Sequence, residues 1–476
     1  MNSQEANSGP AAPTPAWAEL TEAVARFYRG RKVVLLGRDV PQYRLRVKAL
    51  EAMGSQAPFI LGNGIGHGDI PAGVAGWATA ELGTVSFTDT ARATDRLLAD
   101  PPAHVRQALD AYDPDRAAIV LAESNVTHDV MDGRQVADGR PPAWAALEDK
   151  ITLERIWDEL GVDRLPSEVV PATSEALRAA HERLDLGQGT VWYRDMNGGV
   201  QVTFEQARWV RNEEEFAAAT AAVAQECRQV KVTPFLAGTP CGINGFVLAD
   251  GVVVLRPFEE LVLQGPEPSR LVYAGCSTYF DPAPVVRDRM RDLARRVGAL
   301  MHRETGFRGA FSIGGVQTAN GFVPLDLLPR GNTAHRVMST ATPGLPWGLL
   351  QGAVAGGHDL GIPAHEVERV LLNAVEGQRG AAVALHSATP CTSPGRARWL
   401  TADGDQLRLS RKDEHSDACL VQDPLDTGSI VIMIAGPGLL DGDRRLAGRA
   451  ANGFALSEEL WGTRLGSLTE MPGTRA

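Results

Sequence analysis

The chain has 476 residues, 44% of them apolar and 22% charged, with a formal net charge of −11. That length exceeds what one hydrophobic core can serve, so several domains are expected, and the acidic balance speaks against a nucleic-acid partner or an anionic-membrane surface, both of which need a basic excess. Five cysteines, at 227, 241, 276, 391 and 419, form no CxxC pair and no zinc-spaced cluster, which excludes a disulfide framework or structural zinc and fits a reduced, cytoplasmic setting.

Residues 1–16, "MNSQEANSGPAAPTPA", are polar and Pro/Ala-rich, without the apolar stretch of a signal peptide, and read as a disordered tail. "RKVVLLG" (31–37) reads as a buried strand, followed by a helix that stops at Gly54, and "RAAIVLAES" (116–124) reads as a second strand. An α/β domain over 17–142 follows. Its glycine cluster "GNGIGHGDIPAG" (62–73) lacks the helix a dinucleotide cradle needs, so a surface loop is expected and an NAD-dependent enzyme is disfavoured. The polar stretch 131–142 reads as a linker. A helix then starts with Asp149 as its cap and ends at Gly161. Strands are expected at 167–173, 190–195 and around "ARWVR", and a helix capped by an Asn212/Glu215 box after them. The strand "VKVTPFLAG" leads to a hairpin turning at Asp250-Gly251, a helix over about 283–304, and a hairpin turning at Asn320-Gly321. The longest apolar run, "SIVIMIAGPGLL" (429–440), is too short to span a bilayer and reads as a strand and turn, so no membrane partner is expected. Residues 380–476 read as a small α+β lobe.

Lysine is rare in this chain, at 32, 48, 150, 231 and 412 only. A lysine at the start of a helix opposes the helix dipole unless an anion sits there, which makes Lys150 a candidate phosphate contact; the plainer reading is an exposed surface lysine. Lys231 invites the same question. In "FVPLDLLPRGNTAH" (322–335), strand alternation would put Phe322, Pro324, Asp326, Leu328 and Arg330 on one face. Pairing across Asn320-Gly321 would bring Asp326 opposite Gly314 or Gly315. Asp326 and Arg330 are then either a structural ion pair or a metal-binding carboxylate beside a phosphate-binding arginine.

The order of these parts resembles the ATP-grasp superfamily. Within it, "GRPPAWAALEDKITLERIWDELGV", "GFRGAFSIGGVQTANGFVPLDLLPRGNTAH" and the extra C-terminal lobe look like the peptide ligases of pheganomycin-type biosynthesis. The resemblance implies an α/β and α+β chain: a pre-ATP-grasp domain (17–142), ATP-grasp subdomains over 143–232 and 233–379, and a C-terminal lobe (380–476). It implies ATP and Mg²⁺ as cofactors, and an ADP-forming ligase that joins an amino acid or modified amino acid to a peptide or amine, in antibiotic-type peptide biosynthesis. Dimers are frequent among such proteins, so a homodimer is an expectation. Carried over residue by residue, Lys150 and Arg194 would meet the ATP phosphates, and Gly198 and Gly199 would lie in the flap. Thr233, Phe235 and Leu236 would hold adenine, Asp326 and Asn332 the metal, and Arg330 the transferring phosphoryl group. Three positions depart from the pattern: no ribose-binding glutamate occurs near Pro240, Gly314 replaces a metal carboxylate, and Leu328 replaces an asparagine. Glu259 or Glu260 could substitute for the carboxylate, and Arg256 could serve phosphate or substrate. The alternative these losses suggest is an ATP-binding relative without catalysis.

Overall fold

The computed structural model describes residues 14–66, 68–83, 87–122, 126–195, 207–391, 395–404, 406–410, 416–425, 428–440 and 445–471. Four short parallel strands come first: β1 (Val33–Asp39), β2 (Phe59–Gly64), β3 (Gly76–Thr79) and β4 (Ile119–Leu121), in the order β3-β2-β1-β4. Their near-continuous apolar runs suit a sheet covered on both faces. The glycine cluster runs off the end of β2. The stretch expected to be a linker instead holds the hairpin β5 (Val130–Met131)/β6 (Arg134–Gln135). Arg134 is fully buried there with Asp113, and Asp110 and Asp132 reach it from the solvent side, so carboxylates on three sides offset the burial of one guanidinium.

A small antiparallel sheet follows, β7 (Glu168–Pro171), β8 (Thr190–Arg194), β9 (Ala207–Val210) and β10 (Gln229–Pro234), in the order β7-β10-β8-β9. Leu177, Trp192, Phe216, Val230 and Val232 form its core against the helices Ser174–Leu184 and Glu213–Glu226. Asn212 caps the second helix through the Glu215 N–H at 3.0 Å, but the Glu215 carboxylate accepts from the Arg211 N–H and guanidinium, so the expected reciprocal box is only half formed.

Residues 235–238 link this sheet to a large antiparallel one. Its strands are β11 (Thr239–Val247), β12 (Val252–Gln264), β13 (Leu271–Ser277), β14 (Gly309–Thr318), β15 (Gly321–Leu328), β16 (Ala381–Ser387), β17 (Arg396–Asp403), β18 (Gln406–Leu409), β19 (Ala418–Leu425) and β20 (Gly428–Ala435), with β21 (Thr469–Glu470) pairing β12. The helix Pro284–Thr305 covers β11, β14 and β15 on one face. The C-terminal strands continue the large sheet through β13–β16 pairing and carry the helix Ala447–Trp461. One further core joins the helix Pro15–Tyr28 and β1 to the helices Trp347–Ala355 and Ala364–Gly377 and the outer ends of β11 and β12. Among the described residues, no helix is long and apolar enough to cross a membrane.

Candidate active site

Two β-bulges shape the site. On β15, Pro324 pairs with Gly315 and Asp326 with Gly314, which leaves Leu325 without a partner. One extra residue reverses the facing of everything after it. Phe322 and Leu327 therefore pack together against the helix side, while Asp326 turns to the opposite face, toward β12. This corrects the expectation that Phe322, Pro324 and Asp326 share a side. Pro324 lacks an N–H and sits where the ladder is interrupted on an edge strand, as proline requires. On β13, Tyr273 pairs with Val262 and Gly275 with Leu261, leaving Ala274 over; Gly275 takes φ +129°, a conformation few other residues adopt. Tyr273 and Cys276 consequently face the same way, and Cys276 lies opposite Glu260.

Gly314 is the gap around which the carboxylates gather. A methyl group placed on it would lie 3.4 Å from Glu260 Oε1 and 3.5 Å from Asp326 Cβ. Both acids are buried. Burial, reinforced by the negative charge of Asp326 and opposed by Lys150, pushes the Glu260 carboxyl up to about 8. Asp326 Oδ2 is 2.6 Å from Lys150 Nζ, and Oδ1 is buried without a hydrogen-bond partner. Lys150 itself lies in a turn: Asp149 accepts from the Ile151 N–H at 3.0 Å and the helix proper runs Glu154–Glu159, later than the sequence suggested.

The small sheet supplies a second lysine. Lys231 pairs with Tyr193, and paired residues share a face. The Lys150 and Lys231 ammonium groups stand 5.7 and 6.0 Å from the Tyr193 ring, and Lys231 forms an ion pair with Glu154. Arg194 has the opposite parity. It pairs with Val230, shares the face of Trp192, and binds Glu226 at the end of a helix. The structure therefore brings Lys231, and not Arg194, to Lys150. Lys231→Ala should lower turnover by at least tenfold, whereas Arg194→Ala should leave it within about twofold, a contrast readable in one steady-state assay.

Arg330 approaches from the far end of β15 and binds Glu148 at 2.8 Å through Nη2 and 3.1 Å through Nε. Glu148 also pairs with buried Arg140. Burial would raise this carboxyl, but Arg330 and Arg140 outweigh it and hold it at about 2. Residues 148–150 thus clasp residues 326–330 twice, Glu148 on Arg330 and Lys150 on Asp326.

Other expected site residues lie apart. Asn332 caps the helix Thr333–Ala341, accepting from the His335 N–H at 3.2 Å and from Asn244 Nδ2 at 3.1 Å, and donating to Ser312 at 2.9 Å. An asparagine ahead of an amphipathic run is a cap signal, and that role uses the side chain here. Arg256 is buried against Glu376 at 2.7 Å and the Phe280 carbonyl, and Glu259 accepts from the Leu446 N–H at 3.0 Å in the C-terminal lobe. Gly198 and Gly199 lie outside the described residues. Thr233 is buried at the end of β10; Phe235 and Leu236 lie in the link, where Phe235 stacks on Trp209 with centroids 4.2 Å apart. Beside them Val191, Tyr193, Ala207, Val262, Leu271 and Met471 form an apolar cluster between the two sheets.

Among the described residues no group of three or more acidic, histidine or cysteine side chains gathers in a metal-binding cluster. The pair Glu260 and Asp326 nevertheless fits Mg²⁺, which commonly takes one or two protein carboxylates and completes its shell with water and phosphate oxygens. The unpartnered Asp326 oxygen and the strained charge of Glu260 are what a divalent cation would relieve. Of the two substitutes weighed for the acid absent at Gly314, Glu260 reaches the site and Glu259 does not.

No protein-family model matches the chain, and no curated protein matches it. Solved structures do. The biotin carboxylase domain dimer of Hydrogenobacter thermophilus 2-oxoglutarate carboxylase, complexed with MgADP, ADP and bicarbonate, is 14% identical, with a TM-score of 0.50 over 86% of each chain. N5-carboxyaminoimidazole synthase from Aspergillus clavatus, complexed with ADP and 5-aminoimidazole ribonucleotide, is 11% identical, with a TM-score of 0.50 over 91% of this chain and 99% of its own. Rhizobium etli pyruvate carboxylase is 13% identical, with a TM-score of 0.51 over 86% of this chain and 36% of its own. Identities this low speak for fold alone. With a small antiparallel sheet beside a large one, a parallel N-terminal sheet, and C-terminal strands that continue the large sheet, the chain has the ATP-grasp fold.

Proposed function

We propose that the chain is an ATP-dependent carboxylate–amine ligase working through an acyl phosphate, with residues 143–232 and 233–379 as the two halves that hold ATP. The observation that carries this reading is the meeting of Lys150, Lys231, Glu260, Asp326 and the Glu148-bound Arg330 at the junction of the sheets. A carboxylate resists attack by an amine until it gains a leaving group. Transfer of the γ-phosphoryl group to the carboxylate oxygen gives an acyl phosphate and ADP. The amine then attacks the acyl carbon, phosphate departs with the C–O electrons, and the amine loses a proton. Positioning and charge neutralisation supply most of such catalysis. Lys150 and Lys231 would hold phosphate oxygens, Arg330 the phosphoryl group in transit, and the apolar cluster with Thr233, Phe235 and Leu236 the adenine. Glu260 and Asp326 would hold Mg²⁺, which neutralises phosphate charge when bound. Within this reading the acid is an amino acid or modified amino acid and the product a peptide natural product, a refinement supported by the sequence motifs alone.

Incubation with ATP, Mg²⁺, and pooled acids and amines should yield ADP and phosphate. AMP and pyrophosphate would indicate adenylation and overturn the proposal. A catalytically idle nucleotide binder is the second reading, favoured by Gly314 and by the capping role of Asn332. It requires ATP to bind without turnover and Asp326→Ala to leave Mg·ATP affinity unchanged.

A further inference from the structure

Asp326 is a carboxylate that two different cations can claim. Its Oδ2 is 2.6 Å from Lys150 Nζ, and its Oδ1 is buried without a hydrogen-bond partner. Both residues are buried, so little water screens the pair. Glu260 lies close by across Gly314, and Lys231 has a carboxylate of its own in Glu154. A dication on Oδ1 would stand beside the ammonium on Oδ2, because both oxygens belong to one group. Asp326 and Glu260 would then set two negative charges against three positive ones, where like charges repel strongly. Lys150 also borders a second surface. Its ammonium lies 5.7 Å from the centre of the Tyr193 ring, and that of Lys231 lies 6.0 Å from it. Tyr193 belongs to the small sheet and Asp326 to the large one, so Lys150 stands between them.

We infer that Lys150 excludes Mg²⁺ from Asp326 until a nucleotide phosphate draws its ammonium away, so that the metal enters the site only together with nucleotide. The inference rests on the ligase reading for the phosphate that does the drawing. Phosphate oxygens are partners for lysine and Mg²⁺ alike, and they bring the missing negative charge. Moving Lys150 off Asp326 without them would take a buried ammonium from its carboxylate with no anion in exchange, which is costly. Metal and nucleotide therefore strengthen each other's binding through one side chain, and the coupling runs equally in both directions.

The test measures metal binding by the full chain without nucleotide. Mn²⁺ is titrated and its free-ion electron paramagnetic resonance signal followed, with Mg²⁺ as competitor. Lys150→Gln, whose amide can still donate to Asp326 and so guards the fold, should bind Mn²⁺ at least about tenfold more tightly than wild type. Lys150→Arg keeps the charge and should stay as weak as wild type. Adding Asp326→Asn to Lys150→Gln should abolish the gain. A calorimetric titration with ATP in EDTA probes the exchange from the other side. Asp326→Asn releases Lys150 without any metal, so it should bind metal-free ATP at least about threefold more tightly than wild type, and Lys150→Gln should cancel that gain. Equal Mn²⁺ affinity in wild type and Lys150→Gln, a gain that survives Asp326→Asn, or no gain for metal-free ATP overturns the inference. If wild type still forms ADP from Mg·ATP and pooled acids and amines, the ligase reading stands while the role given to Lys150 falls. The expected Mn²⁺ pattern without any ATP binding removes the ligase reading, and the phosphate-driven release with it.

Discussion

Replacing Lys150 with alanine should do two separable kinds of damage. Under the ligase reading Lys150 holds an ATP phosphate, and turnover should fall at least a hundredfold, because mobile water cannot replace a preorganised cation there. Stability should also fall, by roughly 3–5 kcal/mol, because Asp326 would be left as a buried, unpaired charge. The ion pair is short, at 2.6 Å, and both partners are buried. Adding Asp326→Leu to Lys150→Met should recover most of the stability, since an apolar pair of similar volume tolerates that site, yet turnover should stay lost. Urea denaturation and steady-state kinetics on the three variants distinguish the effects. Recovery of activity in the double variant would show that the pair is structural only.

Glu148→Gln should have the next largest effect, because one carboxylate serves two buried arginines. With it gone, Arg330 and Arg140 lose their shared partner, at a cost of roughly 3–5 kcal/mol, and Arg330 loses the contact that aims it. A kcat decrease of ten- to a hundredfold is expected. The pH dependence has a definite sign. The folded-state pKa of Glu148, about 2, lies below the ordinary carboxylate range. Its contribution is therefore fully present above that range and is lost as pH falls toward 2, about 3 kcal/mol in all. Wild type should lose that stability on acidification, and Glu148→Gln should show a flatter acid limb in urea titrations from pH 6 to 3. Parallel acid limbs would contradict the assignment.

The local signals in the sequence were strong wherever a single residue type dictated a turn or a stop. Asp250-Gly251 and Asn320-Gly321 joined antiparallel strands, and the helix expected over about 283–304 runs Pro284–Thr305. The turn alone narrowed the partner of Asp326 to Gly314 or Gly315, and the bulge decides for Gly314. The face Asp326 points to was not legible, because that depends on one unpaired residue, Leu325, and a bulge leaves no certain mark on composition beyond a proline in a strand. The choice of Arg194 over Lys231 shows a missed clue of another kind. Alternation placed Arg194 on the side of Trp192, whose bulk marks the helix-covered face, so parity already argued against it. Glu260 was only one of two acids in "RPFEEL". Strand alternation separates them, but which one meets Gly314 is set by the neighbouring strands, a non-local fact. Glu148 gave no signal at all, since its partners lie 8 and 182 positions away.

The way the cores are divided governs how the cleft can open. The apolar core under the helix Pro15–Tyr28 passes without a break from the parallel sheet into the large one, so those two cannot part without wetting it. The small sheet closes a core of its own; two chain segments, 160–167 and 235–238, and the apolar cluster around Tyr193 and Val262 join it to the rest. Any separation of the two sheets must therefore wet that small cluster and part Lys231 from Glu154, while the N-terminal third of the molecule stays with the large sheet.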